Sequence, residues 1–207
     1  SVVHHGHDFD TAKDYARVLA QTAGASFWED GSIHGMALGA ATIGTELIES
    51  GMMWDWVLVP VGNGSLIKGI SSVFSEQCPD TKVVGLVSTG APAMAQAIAG
   101  EAFDSQKPTK TEADGLDVRV PIPKISSEIA SLVHDIWTIP EELLIPAVRS
   151  LIDLEQVMAE PSAAITLAGC LIHREEMNGD RVAIIITGAH LRSSLLQAIA
   201  TSSGLHI

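Results

Sequence analysis

Apolar positions along the chain follow two periods. Runs of β-prone residues at 56–61, 83–87 and 182–186 read as strands buried on both faces. Between them, apolar residues return every three or four positions. Phe9, Ala12, Tyr15, Ala16, Leu19 and Ala20 form such a stripe, predicting a helix over 8–22 with Asp8 as its cap and Gly24 as its stop. Similar patterns predict helices over 37–49 (closed by Gly51), 65–76, 92–99, 126–133, 140–155, 161–173 and 191–200. Short strands are predicted at 2–4, 26–28 and 135–138. Strands alternating with helices imply an α/β protein: three layers, a mostly parallel twisted sheet with helices on both faces. The polar stretch 100–123, with Pro108, Pro121 and Pro123, is too long for an ordinary connector and reads as a functional loop.

Composition narrows the partners. The formal net charge of −13 disfavours nucleic acid and anionic membranes. No apolar run reaches the length of a membrane span, and no basic region followed by an apolar stretch marks a signal peptide. Cys78 and Cys170 lie far apart without metal spacing; they read as half-buried fillers in a reducing, cytoplasmic setting. His4, His5 and His7 have alternate spacing that could ligate a metal, but no carboxylate pattern supports a catalytic site, so no metal is expected.

The segment 59–69 carries the chemistry. A strand drops into Gly62, Asn63, Gly64, Ser65 and Leu66, then becomes helical. Glycines let backbone N–H groups close on an anion, and the helix start adds unpaired donors and partial positive charge. Together these make a phosphate cradle. On this stretch alone, an ordinary βα turn with glycines for packing is an equal reading.

Other motifs fall into order around it. The segment 39–47, Gly-Ala-Ala-Thr-Ile-Gly-Thr-Glu-Leu, is similar to a family "GQGTIGLEI" segment; 113–116 resembles "ADG"; 159–164 resembles "EPSGA"; and Thr187-Gly188 takes the place of a final "SGG" or "TG" turn. Together with 2–10, the glycine turn, and the strand 83–87 leading to Gly90-Ala91-Pro92-Ala93-Met94, these resemble the fold type II pyridoxal-phosphate enzymes, the tryptophan synthase β superfamily. Within it, the threonine/serine dehydratases (ammonia-lyases) look most similar.

The resemblance implies pyridoxal 5′-phosphate as cofactor, its phosphate held by Gly62, Asn63, Gly64, Ser65 and Leu66. Thr187 and Gly188 fall where the family places an uncharged group against the pyridine nitrogen, which suits β-elimination over transamination. Glu160 and His190 become possible pocket residues, although Glu160 also suits a helix first turn and His190 a rim position. Asp114 resembles a carboxylate of a cation site in some relatives. The second position of that site holds Val87 or Ser88, so Asp114 reads as a turn residue.

Fold type II chemistry needs a lysine that forms a Schiff base, in an "S-F-K-x-R"-like segment, and an "SxGNHAQG" loop for the substrate carboxylate. Neither is among the 207 residues; none of Lys13, Lys68, Lys82, Lys107, Lys110 and Lys124 has such a context. The resemblance therefore implies a small-domain remnant at 1–29 and a large cofactor-binding domain at 30–207. A second polypeptide or a missing N-terminal segment would supply the lysine. Ser1, with no methionine, suits a cleaved or trimmed chain. The completed enzyme would turn threonine or serine into a 2-oxo acid and ammonia, as an oligomer. Rival readings are a threonine-synthase-like replacement enzyme and a non-catalytic relative. A Rossmann dinucleotide protein ranks low, lacking the glycine spacing and the acidic residue after the next strand.

Overall fold

The structure, a computed structural model, describes residues 2–7, 9–30 and 34–205, and the side chain of His34 is not among them. Four parallel strands form one sheet in the order β3-β2-β1-β4. They are β1 (Trp56–Pro60), β2 (Lys82–Ser88), β3 (Asp135–Ile139) and β4 (Val182–Ile184). Every residue of β1 is buried, as a central strand covered on both faces requires.

Alternation along β1 and β2 divides the core into two layers. Trp56, Leu58, Val84 and Leu86 face α6 (Leu144–Glu155) and α7 (Pro161–Ile172), packing against Leu144, Val148, Ala164 and Ala168. Val57, Val59, Val83 and Val87 face the other way, onto Ile67, Ile70 and Phe74 of α3 (Ser65–Gln77) and Ile125 and Ile129 of α5 (Pro123–Ala130). Period-two side chains in central strands thus feed both layers. Small residues let α7 lie close on the sheet, and most of its length is buried. The remaining helices are α1 (Phe9–Ala23), α2 (His34–Glu49), α4 (Ala93–Ile98) and α8 (Ser193–Thr201).

Several expectations need correction. Residues 2–4 and 26–28 are irregular: Val2 is 84% exposed and Trp28 69%, and neither segment joins the sheet that would make it a strand. The strand expected at 182–186 is shorter, and only the middle residue of β4 is buried, because it is an edge strand paired with β1 alone. The helix expected at 126–133 begins earlier, with Pro123 in its first turn, where the missing N–H costs nothing. The segment 140–155 is split into a 3₁₀ turn (Glu141–Leu143) and α6. The segment 100–122 is mostly irregular, with one 3₁₀ turn at Asp114–Leu116.

The stripe on α1 exists, but α1 buries no residue and Phe9 is 67% exposed. Its capping by Asp8 lies outside the described residues. Gly24 follows the helix at φ +65°, and the Ala25 N–H closes onto the Ala20 carbonyl at 2.9 Å. Both cysteines are free and half-buried; burial pushes the Cys170 thiol above its ordinary value. Among the described residues no helix is long and apolar enough to cross a membrane.

Candidate functional site

The two most telling sequence segments leave the sheet side by side. In the β1–β4 register Leu58 faces Ile184, and the Ile185 N–H donates to the Leu58 carbonyl at 2.9 Å. Beyond that bond the two chains leave the pairing, one toward Val61 and Gly62, the other toward Thr187 and Gly188. The strand order reverses here: the chain runs from β1 outward through β2 to β3, then returns to the far side of β1 as β4. A crevice beyond the carboxyl ends of strands at such a reversal is the usual ligand position in parallel α/β sheets.

Gly62 sits against the 114–116 turn: a Cβ there would lie 2.7 Å from the Gly115 carbonyl oxygen. Gly64, at φ +97°, is the residue that starts α3, and a Cβ on it would lie 2.5 Å from Ile129 Cδ1. The first helical bond is Lys68 N–H to the Gly64 carbonyl, 3.0 Å. The amides of Gly62, Asn63, Gly64 and Leu66 donate to no other described residue, as expected ahead of a helix's first bonded turn. The side chains of this turn are engaged: Ser65 Oγ donates to Asp30 Oδ1 at 2.6 Å, and Asn63 Nδ2 to Asp30 Oδ2 at 3.4 Å. Leu66 is half-buried against the core layer of α3.

The other wall is built around Glu160, which precedes α7. Its N–H donates to the Gly188 carbonyl at 3.0 Å, and its carboxylate accepts the His190 N–H at 3.1 Å. A Cβ on Gly188 would fall 2.2 Å from that carboxylate. Glu160 therefore spaces the 187–190 turn through backbone contacts, while Thr187 and His190 are exposed. Ser162, the second residue of α7, accepts the Gly115 N–H at 2.9 Å. Gly62, Gly115, Ser162, Glu160 and Gly188 thus form a continuous chain of contacts around the strand ends.

A second carboxylate fixes the 111–116 segment from behind. Glu141 accepts hydrogen bonds from the Ser88 hydroxyl, the Thr111 hydroxyl at 3.2 Å and the Glu112 N–H at 2.5 Å. Its own N–H donates to Thr89 Oγ1 at 3.1 Å. Arg192, just before α8, pairs with Glu112 at 2.8 Å and approaches Asp114 at 3.7 Å, tying the turn after β4 to the 112–115 segment. Asp114 is exposed in its turn, and the described residues contain no cluster suited to a metal. His5 stacks on Tyr15 with ring centroids 3.9 Å apart.

Sequence reading missed Asp30, Ser162, Glu141 and Arg192. Ser162 had a signal, as the serine of the 159–164 motif. The others act across the fold, at separations of 35 residues for Asp30 to Ser65 and 53 for Ser88 to Glu141, and no local pattern encodes those.

Comparison with known proteins identifies a family. A model of the pyridoxal-phosphate dependent enzyme family matches residues 1–188. An L-threonine ammonia-lyase of Thermotoga maritima is 28% identical over 198 residues, 96% of this chain and 49% of that protein. A biosynthetic L-threonine dehydratase of Salmonella typhimurium is 30% identical over 198 residues, 92% of this chain and 37% of that one. The processed form of threonine deaminase isoform 2 from Solanum lycopersicum superposes with a TM-score of 0.87 at 25% identity, over 96% of this chain and 55% of that structure. The chain spans about half or less of the length of these curated relatives. With the match running from the first residue through the glycine turn to Gly188, and the same parallel α/β architecture in a similar threonine deaminase structure, the chain belongs to the pyridoxal-phosphate dependent enzymes of fold type II.

Proposed function

We propose that this chain is the cofactor-holding part of a pyridoxal-phosphate-dependent ammonia-lyase acting on threonine or serine. The observation that carries the reading is the chain of contacts joining Gly62, Gly115, Ser162, Glu160 and Gly188 beyond the ends of the neighbouring strands β1 and β4. The names of the relatives add the substrate class. The residues present suit the cofactor: backbone donors at 62, 63, 64 and 66 point to an anion, and the close approaches at Gly62 and Gly64 leave no room for side chains there.

In this reading the amides of Gly62, Asn63, Gly64, Ser65 and Leu66 bind the phosphate. Thr187 offers an uncharged hydroxyl to the ring nitrogen, with Gly188 giving it room. Glu160 orients that turn through the His190 amide, and His190 stands at the rim. Pyridoxal phosphate, when bound, supplies the electron-withdrawing ring for loss of the α-proton and the β-hydroxyl. The chain's part is to anchor and orient it. Residues 1–29 then belong to a small domain and 30–207 to the large one. The partner is a polypeptide segment carrying the reactive lysine, and the assembled enzyme is an oligomer in a reducing, cytoplasmic compartment.

The test has two arms. The 207-residue chain, titrated with inorganic phosphate by calorimetry, is expected to bind about one equivalent, and Gly64→Val to lose it while the circular dichroism of the sheet and helices persists. The full-length polypeptide containing the lysine segment is expected to release ammonia from threonine or serine and to leave phosphohomoserine unchanged. Turnover of phosphohomoserine instead would favour the replacement enzyme.

A further inference from the structure

Asp30 lies outside the proposed phosphate turn yet hydrogen-bonds two of its side chains. It receives a short hydrogen bond from Ser65 Oγ, 2.6 Å, and a longer one from Asn63 Nδ2, 3.4 Å. Both donors lie in the turn whose backbone N–H groups suit an anion. The residue before Asp30 is anchored to α1. That residue, Glu29, accepts a bidentate contact from Arg17 of α1, 3.0 Å to each carboxylate oxygen, and pairs with Lys13 at 3.4 Å. Glu29 raises the Arg17 pKa further, first by hydrogen bonding and then by charge. Lys13 also pairs with Asp10 at 3.3 Å, and Asp10 with Arg119 at 2.8 Å, so the helix is fastened to the body next to the turn. The result is an ionic strap, α1 to Glu29, that sets a carboxylate on the start of α3.

We infer that Asp30 is an internal competitor for the cofactor phosphate: its carboxylate engages the side chains of the turn and opposes a second anion on the turn's amides. This rests on the phosphate reading of the turn given above. The physics is direct. A carboxylate and a phosphate are both anions and favour the same end of the helix dipole. Both on one turn would repel at close range, so the affinity for phosphate is lowered by whatever holds Asp30 in place. Because the strap runs through α1, a change in how α1 packs is transmitted to cofactor affinity. Charge removal at 30 and release of Glu29 therefore act in the same direction.

The experiment uses the 207-residue chain and inorganic phosphate as probe, followed by calorimetry and by the ¹⁵N–¹H shifts of amides 62–66. Asp30→Asn, which keeps the shape and removes the charge, is expected to bind phosphate about tenfold more tightly than the unaltered chain. Arg17→Ala, which leaves Asp30 intact, is expected to tighten binding by a smaller factor. Equal or weaker phosphate binding in Asp30→Asn overturns the competitor, while the phosphate turn itself stands. Unchanged affinity in Arg17→Ala overturns the role of the strap. Absence of saturable binding and of shifts at 62–66 in every variant removes the phosphate reading and this inference with it.

Discussion

One missing methyl group at position 64 shapes both the turn and the packing below it. Gly64 adopts φ +97°, a conformation L side chains rarely adopt, and an added Cβ would meet both Ile129 Cδ1 at 2.5 Å and Ile125 Cγ2 at 2.9 Å. Gly100 also has positive φ, +72°, but an added Cβ there would meet nothing within 4 Å. The two positions separate backbone strain from steric conflict. Gly100→Ala is expected to cost about 1 kcal/mol, from backbone strain alone. Gly64→Ala is expected to cost about 2–4 kcal/mol, since it adds overpacking against α5 to the same strain. Urea denaturation of the two variants checks this, and equal losses would show that α5 yields freely to the intruding group.

Among elements, the loops owe their order to carboxylates that reach across the fold. Glu141 opens a 3₁₀ turn after β3, yet it gathers donors from the end of β2 and from residues 111 and 112. Glu141→Gln keeps the side-chain size but removes the charge and half of its acceptor capacity. Hydrogen bonds to a charged group contribute roughly 1.5–3 kcal/mol each, so the expected loss is about 2 kcal/mol. It should be accompanied by faster amide exchange at 112–115 and unchanged protection in β1. Even loosening across both places would mean that Glu141 serves the sheet as a whole. The same elements show what a sequence makes visible. The central strands and α3 were readable because burial on both faces forces continuous apolar runs at 56–60 and 83–87. The reading failed at 2–4 and 26–28, where apolar residues have no strand to pair with, and at the end of β4, where an edge position relaxes burial. Pairing is a property of neighbours, and a local pattern does not contain it.

For the molecule as a whole, the glycine turn and the 187–188 turn were legible as motifs, and the sheet topology brings them together. The side chains that brace them from distant segments were not. The same division holds for stability. The sheet and the helices on its faces share two continuous apolar layers. α1 shares neither layer: it buries no residue, and it is attached through the ion pairs of Lys13 and Arg17 with Glu29 and of Asp10 with Arg119, beside the stacking of Tyr15 on His5 and of Arg17 on Phe27. Ion pairs still reached by solvent are weakened by salt, whereas apolar burial is not. α1 is therefore expected to open locally, without the sheet, and more readily at 0.5 M than at 0.05 M sodium chloride. Hydrogen exchange followed peptide by peptide checks this. Amides of 9–23 should exchange orders of magnitude faster than those of 56–60, with a salt-dependent gap. Exchange of both segments at one common rate would instead mean that α1 unfolds only with the core and that its ionic fastening is as strong as the packing of the sheet.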